Sequence, residues 1–288
     1  MKRTLYIGFA IALLAIAIAY VKRESLYLAY LAGQIPTVSL ADHQDFLEPH
    51  IEITKPETGA ATYPVVIMFH GCAGFRPVFK DQWTKQITEA GYMAVAVDSL
   101  TPRGINYETS LTTVCHGTQL IGQERAGDVL AAYDLIRKRT DIDQTNIILA
   151  GWSHGAWSVM DFLTMDMARR RPAQFSANVA DIPKPTAAIL FYPYCGEGSR
   201  SRFANWQNPP RTLAFVAGSD SIVDGDLCLD LIASLNKRGQ KIDLKYYQDA
   251  EHAFDNSALE FDFPELYNEE YAIDATKHVR KFLDEQLQ

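Results

Sequence analysis

Asn146-Ile147-Ile148-Leu149-Ala150, followed at once by Gly151-Trp152-Ser153-His154-Gly155, is the stretch that decides how this chain folds. A short apolar run without polar alternation reads as a strand buried on both faces. From Gly155 to Met167 the apolar spacing becomes helical. A serine between two glycines at such a strand-to-helix junction stands on a sharp turn, with its backbone strained. The glycines are required because a Cβ at either position would collide with the neighbouring strand or helix. The following helix offers backbone N–H groups, and the positive end of its dipole, to charge developing at Ser153. Ser153 is therefore the candidate nucleophile.

Strand and helix alternate on both sides of this turn. Val65–Phe69 (VVIMF), Met93–Val97 (MAVAV), Ala187–Tyr192 (AAILFY), Thr212–Ala217 (TLAFVA) and Asp243–Tyr247 read as further strands. Trp83–Ala90, Gln123–Lys138, Leu227–Lys237 and Tyr271–Leu287 read as helices. That order predicts an α/β fold with a mostly parallel central sheet and helices on both faces. Leu100–Gly122 is a long connection without clear period, as functional loops often are. No internal repeat or second domain is visible. One catalytic domain is expected over residues 49–288, preceded by a linker over 25–48 that opens with a short helix, Ser25–Gln34.

The N-terminus has a different character. Lys2 and Arg3 precede an apolar run from Leu5 to Val21, and Lys22 and Arg23 follow it. Its length suits either a short membrane-spanning helix or a long signal-peptide core, so residues 1–24 are expected to be a signal-anchor or a cleaved signal peptide. The flanking cations hold the N-terminus on the cytoplasmic side and imply that the rest is exported, anchored if the segment is uncleaved. Four cysteines, Cys72, Cys115, Cys195 and Cys228, permit two disulfides in three connectivities. None forms a C-x-x-C pair, so no metal site is expected. A formal net charge of −8 with scattered cations excludes a nucleic-acid surface. The triplet Arg169-Arg170-Arg171 suits a helix C-terminus better than a polyanion.

A serine hydroxyl needs a base within hydrogen-bond reach. Beyond the turn only His252 and His278 are available. His278 lies in the terminal helix among lysines and an arginine, whereas His252 follows the last strand and is the candidate base. The acid belongs in the loop after the preceding strand. Asp220 stands there after a glycine turn, while Asp224 and Asp226 suit the start of the next helix. The order Ser, acid, His is that of the α/β-hydrolase fold. The loop His70-Gly71-Cys72-Ala73-Gly74 then supplies one oxyanion donor, the backbone N–H of Cys72 with Ala73 next, and His154 supplies the other. His70 is expected to hold that loop by hydrogen bonding.

Together HGCAGF, GWSHG, AGSD and DAEHAFD resemble the dienelactone hydrolase family, from about Pro49 to the C-terminus. The resemblance implies a largely lid-free esterase or lactonase that acts on a small-molecule ester without a cofactor. The enzyme that names the family carries cysteine at the turn. Ser153 departs from it and points to general carboxylic esters. Asp98–Gly104 also resembles the family, with Arg103 expected in a structural loop role ahead of facing an anionic substrate group, and Glu124, Arg125 and Asp128 are expected to form helix-surface or helix–loop ion pairs. Neighbouring strand ends suggest a Cys195–Cys228 bridge that braces the Asp220 loop. Cys72–Cys115 would then tie the oxyanion loop to the long connection. Two other readings use the same residues: a peptidase related to prolyl oligopeptidase, and a membrane-tethered binding protein that reuses the fold without catalysis.

Overall fold

The computed structural model describes residues 12, 30, 33–165, 175, 184–207, 209–259 and 265–287. Most of the apolar run Leu5–Val21, most of Ser25–Gln34, the end of the helix expected to reach Met167, and the arginine triplet lie outside the described residues. Among the described residues no helix is long and apolar enough to cross a membrane.

Seven strands form one sheet: β1 (Ile51–Thr54), β2 (Tyr63–Phe69), β3 (Met93–Val97), β4 (Ile142–Trp152), β5 (Ala187–Phe191), β6 (Arg211–Ala217) and β7 (Ile242–Tyr247). Their order is β1-β3-β2-β4-β5-β6-β7, antiparallel only at the β1–β3 edge. Six strands were expected; β1 is additional, too short and half-exposed to stand out from its polar neighbours. Seven helices are also described: α1 (Leu40–Leu47), α2 (Pro77–Glu89), α3 (Tyr107–Thr112), α4 (Gly122–Arg137), α5 (His154–Leu163), α6 (Gly225–Lys237) and α7 (Glu269–Gln286).

The buried stretches of the central strands, such as Val65–Phe69 and Ile147–Ala150, are apolar throughout because both faces are covered, and their side chains alternate between two cores. Val65, Ile67 and Phe69 of β2 pack with residues of α4, α5 and α6 on one face. Val66 and Met68 pack with residues of α2 and α7 on the other. α2 begins earlier than its apolar spacing suggests, because Pro77 stands at its first turn, where a fixed φ and a missing N–H cost nothing.

Two segments expected to be irregular carry helices. Ser39 caps α1 by accepting from the Asp42 N–H at 3.0 Å, and α1 docks on α4 through His43 and Gln44. Asn106 caps α3 in the same way, at 2.8 Å from the Thr109 N–H, inside the Leu100–Gly122 connection. Both helices are short and depend on a cap and on docking, which periodicity does not register.

Candidate active site

Pairing Phe69 of β2 with Gly151 of β4, and Trp152 with Phe191 of β5, brings the carboxyl ends of the central strands to one rim. At that rim β4 turns into α5 through Ser153, whose φ of 52° and ψ of −115° place it in a region few side chains tolerate. The glycines on either side are spatially required. A Cβ on Gly151 would come within 2.6 Å of the Ala156 N in α5, and one on Gly155 within 2.1 Å of the Phe69 O in β2. The Ser153 N–H donates to Phe191 O at 2.9 Å, which fixes the turn to the next strand.

The three residues expected to cooperate meet here. His252 Nε2 lies 2.9 Å from Ser153 Oγ, and His252 Nδ1 lies 2.7 Å from Asp220 Oδ2. With the proton on Nδ1, the imidazole donates to the carboxylate and accepts from the hydroxyl. The other oxygen of Asp220 accepts from the Ile222 and Val223 N–H groups at 3.0 and 2.8 Å, so the carboxylate is fixed from both sides. Asp224 instead caps α6, accepting from the Leu227 N–H at 3.1 Å, and Asp226 lies in its first turn. His278 sits on α7, 3.4 Å from Asp274, beside Arg211 and Asp243 at the starts of β6 and β7, the opposite rim of the sheet.

His70-Gly71-Cys72 crosses directly over Ser153. A Cβ on Gly71 would stand 3.6 Å from that of the serine. His70 is fully buried: its Nδ1–H donates to Gly71 O at 2.5 Å, and its Nε2 accepts from the Ser99 N–H at 3.1 Å. Burial and the Arg125 charge lower the His70 pKa to about 3, so the ring is neutral and serves as a fixed linker. His154 is also buried and neutral, its pKa held well down first by burial and then by Arg125.

Both expected disulfides are present, Cys72–Cys115 and Cys195–Cys228. The first joins the His70–Gly74 loop to the long connection. The second joins the β5 exit loop to the first turn of α6, beside the loop that carries Asp220.

A cavity of about 320 Å³ opens at Ser153. Its walls are the Cys72–Cys115 bridge, Ile121, Trp157 and Tyr194, with Ile222 and Val223 of the acid loop opposite. Arg103 does not reach it. Its guanidinium pairs with both oxygens of Asp128, at 2.8 and 3.0 Å, and donates to Ser99 O. The Asp128–Arg103 contact is the expected helix–loop ion pair, but it does not lie at the surface: Arg125 and Asp128 are completely buried, because α4 is covered nearly all round.

Several supporting residues were not anticipated from the sequence. Asp255, fully buried, accepts from Trp83 Nε1 at 2.9 Å, Trp152 Nε1 at 3.1 Å and Tyr192 OH at 2.7 Å. Tyr192 in turn lies against the His252 ring, centroids 4.7 Å apart. Burial raises the Asp255 pKa to about 6, although its three donors pull it back. Glu251 accepts from the Ser221 N–H at 2.9 Å and so links the base loop to the acid loop. A signal existed for Asp255: buried indole and phenol groups demand an acceptor, and one acid stands among apolar residues in HAFD. Ser99 and Arg125 carry no comparable mark.

A parallel sheet whose central strand turns through a strained serine into a helix, with an acid and a histidine delivered from later strand ends, defines the α/β-hydrolase fold, here that of a carboxylic ester hydrolase. More closely, the model of the dienelactone hydrolase family matches residues 53–287, and the chain belongs to that family. Among solved structures it is similar to a protein assigned as a dienelactone hydrolase from Klebsiella pneumoniae, with TM-score 0.61 and 14% identity over 81% of this chain and 92% of that one. It is likewise similar to Thermogutta terrifontis esterase 2 phosphorylated by paraoxon, with TM-score 0.61 and 16% identity over 82% of this chain and 88% of that one. No curated protein matches the chain by sequence.

Proposed function

We propose that this protein is a serine esterase that hydrolyses small carboxylic esters or lactones through an acyl-enzyme on Ser153. The observation that carries the reading is the relay of 2.9 and 2.7 Å from Ser153 Oγ through His252 to Asp220, with Ser153 lining an open cavity. Ser153 Oγ attacks the ester carbonyl carbon while His252 Nε2 takes the hydroxyl proton. Asp220 stabilises the imidazolium and keeps its ring oriented. The backbone N–H groups of Cys72 and His154 bind the oxyanion, where preorganised donors contribute most to rate. The tetrahedral adduct collapses, the C–O bond to the leaving group breaks, and His252 returns its proton to the departing alkoxide. Water then repeats the attack with His252 as base, and the acid is released.

The cavity walls are largely apolar, which favours compact uncharged acyl and alkyl groups over extended peptides. The two disulfides support a location in an oxidising compartment, and we read the catalytic domain as exported, tethered by residues 1–24 where these remain attached.

Ser153→Ala is expected to abolish hydrolysis of p-nitrophenyl acetate and butyrate while leaving the unfolding temperature within a few degrees of the parent. Paraoxon is expected to phosphorylate the wild type at Ser153 and to leave the variant unmodified, as read by peptide mass spectrometry. Full ester turnover by folded Ser153→Ala would exclude this mechanism. Folded wild type that neither turns over esters nor takes up paraoxon would point to a binding protein.

A further inference from the structure

We propose that Arg125 is a positioning residue that aims both donors of the oxyanion hole. The inference deepens the esterase reading and rests on it. Arg125 lies in the first turn of α4 and is completely buried. Removing a guanidinium from water costs several kcal/mol unless its donors and charge are answered nearby. The nearest carboxylate on its helix does not answer it directly. Both Asp128 oxygens are held by Arg103, and one also by His43 Nε2 at 2.7 Å. Burial lowers the Arg125 pKa to about 10, and Asp128 sustains the charge from a distance, so the guanidinium stays cationic at neutral pH.

One nitrogen of Arg125 reaches both segments that form the hole, a second reaches Ser99, and Nη2 is buried with no hydrogen-bond partner among the described residues. Nη1 donates to His70 O at 2.7 Å and to His154 Nδ1 at 3.2 Å, while Nε donates to Ser99 Oγ at 3.0 Å. His154 carries one oxyanion N–H on its own backbone, so its ring contact fixes that residue from the side-chain end.

The route to the other donor runs through peptide geometry. In a trans peptide the C=O and N–H point opposite ways. Gly71 O accepts from His70 Nδ1–H, which turns the Cys72 N–H of the same peptide away from His70. His70 can donate from Nδ1 because its Nε2 is occupied by the Ser99 N–H. Ser99 is held at all three of its polar groups, by His70 on N, Arg125 on Oγ and Arg103 on O. One guanidinium therefore grips the carbonyl before the loop, the serine that sets the His70 tautomer, and the ring of the second donor residue.

A misplacement of about 1 Å originating away from the reacting atoms can cost on the order of 10² in rate. Arg125→Met is expected to lower kcat on p-nitrophenyl butyrate by about that factor with KM changed by less than about threefold, since the Trp157, Tyr194, Ile222 and Val223 walls receive no hydrogen bond from Arg125. The affinity of an alkyl boronic acid, which forms a tetrahedral adduct on Ser153, is expected to fall in parallel. The affinity of butyrate, a ground-state ligand, is expected to hold. A purely structural role would weaken both ligands together. Arg125→Lys keeps the charge and one donor direction and is expected to recover part of the loss.

Should Arg125→Met fail to fold, Ser99→Ala decides. It removes only the Nε anchor and is expected to lower kcat by about tenfold, with the same split between boronate and butyrate. A folded Arg125→Met, or failing that Ser99→Ala, whose kcat and boronate affinity stay within twofold of wild type overturns the proposal. If Ser153→Ala is inactive in that experiment, the esterase reading stands and only the role of Arg125 is lost. If Ser153→Ala is active, both fall.

Discussion

Ser153 is held by charge on one flank and by aromatic rings on the other. Toward β2 and β3, Arg125, Arg103, Asp128 and His70 form a buried ionic lattice converging on Ser99. Toward β5 and β7, Trp83, Trp152 and Tyr192 converge on the single carboxylate of Asp255, with Phe191 and Phe254 packed among them. The two solutions suit two tasks. Backbone donors that must point in one direction need directional partners around them, and an ionic lattice supplies directions. In the proposed cycle the His252 imidazole exchanges protons, which calls for a rigid wall without a competing cation, and rings supply that. Each flank also carries one disulfide: Cys72–Cys115 at the His70–Gly74 loop, Cys195–Cys228 behind the loop that carries Asp220.

The largest effect lies where the flanks meet. Ser153→Ala is expected to remove at least about 10⁴ of turnover, and Asp220→Asn to cost on the order of 10⁴ in kcat, because the amide no longer accepts from His252 Nδ1–H and the wrong tautomer faces the serine. Steady-state kinetics on a p-nitrophenyl ester measures both. An Asp220→Asn loss under tenfold would mean that the carboxylate does not orient the base.

Next come the two buried acids, which sharpen the contrast. Asp128 balances a cation, so Asp128→Asn strands Arg103 and turns an amide N–H toward its donors; a loss of about 3–5 kcal/mol is expected. Asp255 balances no cation. In Asp255→Asn the amide oxygen can serve both indoles while the NH₂ faces the Tyr192 oxygen, and about 1 kcal/mol or less should be lost. Urea unfolding of the two variants compares them directly. Equal losses would erase the distinction between an ionic and an aromatic flank.

That distinction also decides how much of the site is visible from sequence. Ser153, Asp220 and His252 each follow a recognisable strand, and Asp255 stands three residues after the base in the same short segment. The aromatic flank is therefore nearly contiguous with motifs already conspicuous in the chain. The ionic flank is assembled from His43, His70, Ser99, Arg103, Arg125 and Asp128, which lie on α1, two loops and α4. Nothing in local spacing distinguishes Arg125 from an exposed helix arginine; only the burial of α4 on nearly every side does, and that is set by α1, α5 and the sheet together. The same reason hides α1. A helix of 8 residues with a weak apolar face is fixed by a Ser39 cap and by His43 meeting Asp128, which is a tertiary event.

The flanks are expected to respond to pH with opposite sign. Burial works against the Asp128 charge, but Arg103 and His43 hold the carboxyl well below its usual range. Its stabilisation is present above the unfolded carboxylate pKa and is lost as pH falls through the depressed folded value. Asp255 is raised, from 3.8 to about 6. Its protonated form is the one the fold prefers, so its contribution is complete below about 4 and is lost as pH rises through about 6, roughly 3 kcal/mol in all. Asp161, pushed up to about 8 by burial, has the same sign over a wider window. Between pH 4 and 6, Asp255→Asn should flatten the fall in unfolding free energy but leave the Asp161 share. An unchanged slope would mean that Asp255 is already ionised throughout that range.

The smallest effect separates the two disulfides. Exchange requires a thiolate to reach a sulfur along an open path. Cys115 is exposed and Cys72 half-buried at the cavity wall, whereas Cys195 and Cys228 are each about 1% accessible. Mild dithiothreitol should therefore open Cys72–Cys115 first. Freed from that tether, the loop carrying the Cys72 N–H loses its connection to Val114–Gly117, and kcat is expected to fall by about tenfold while far-UV circular dichroism is unchanged. The second bridge should yield only when the β5 exit loop parts from the first turn of α6, with unfolding rather than with activity. Alkylation and peptide mapping at successive reductant concentrations tie each bond to its effect. Full activity after selective loss of Cys72–Cys115 would show that the oxyanion loop is held by the ionic lattice alone, which would leave Arg125 with a larger share of the positioning than the bridge.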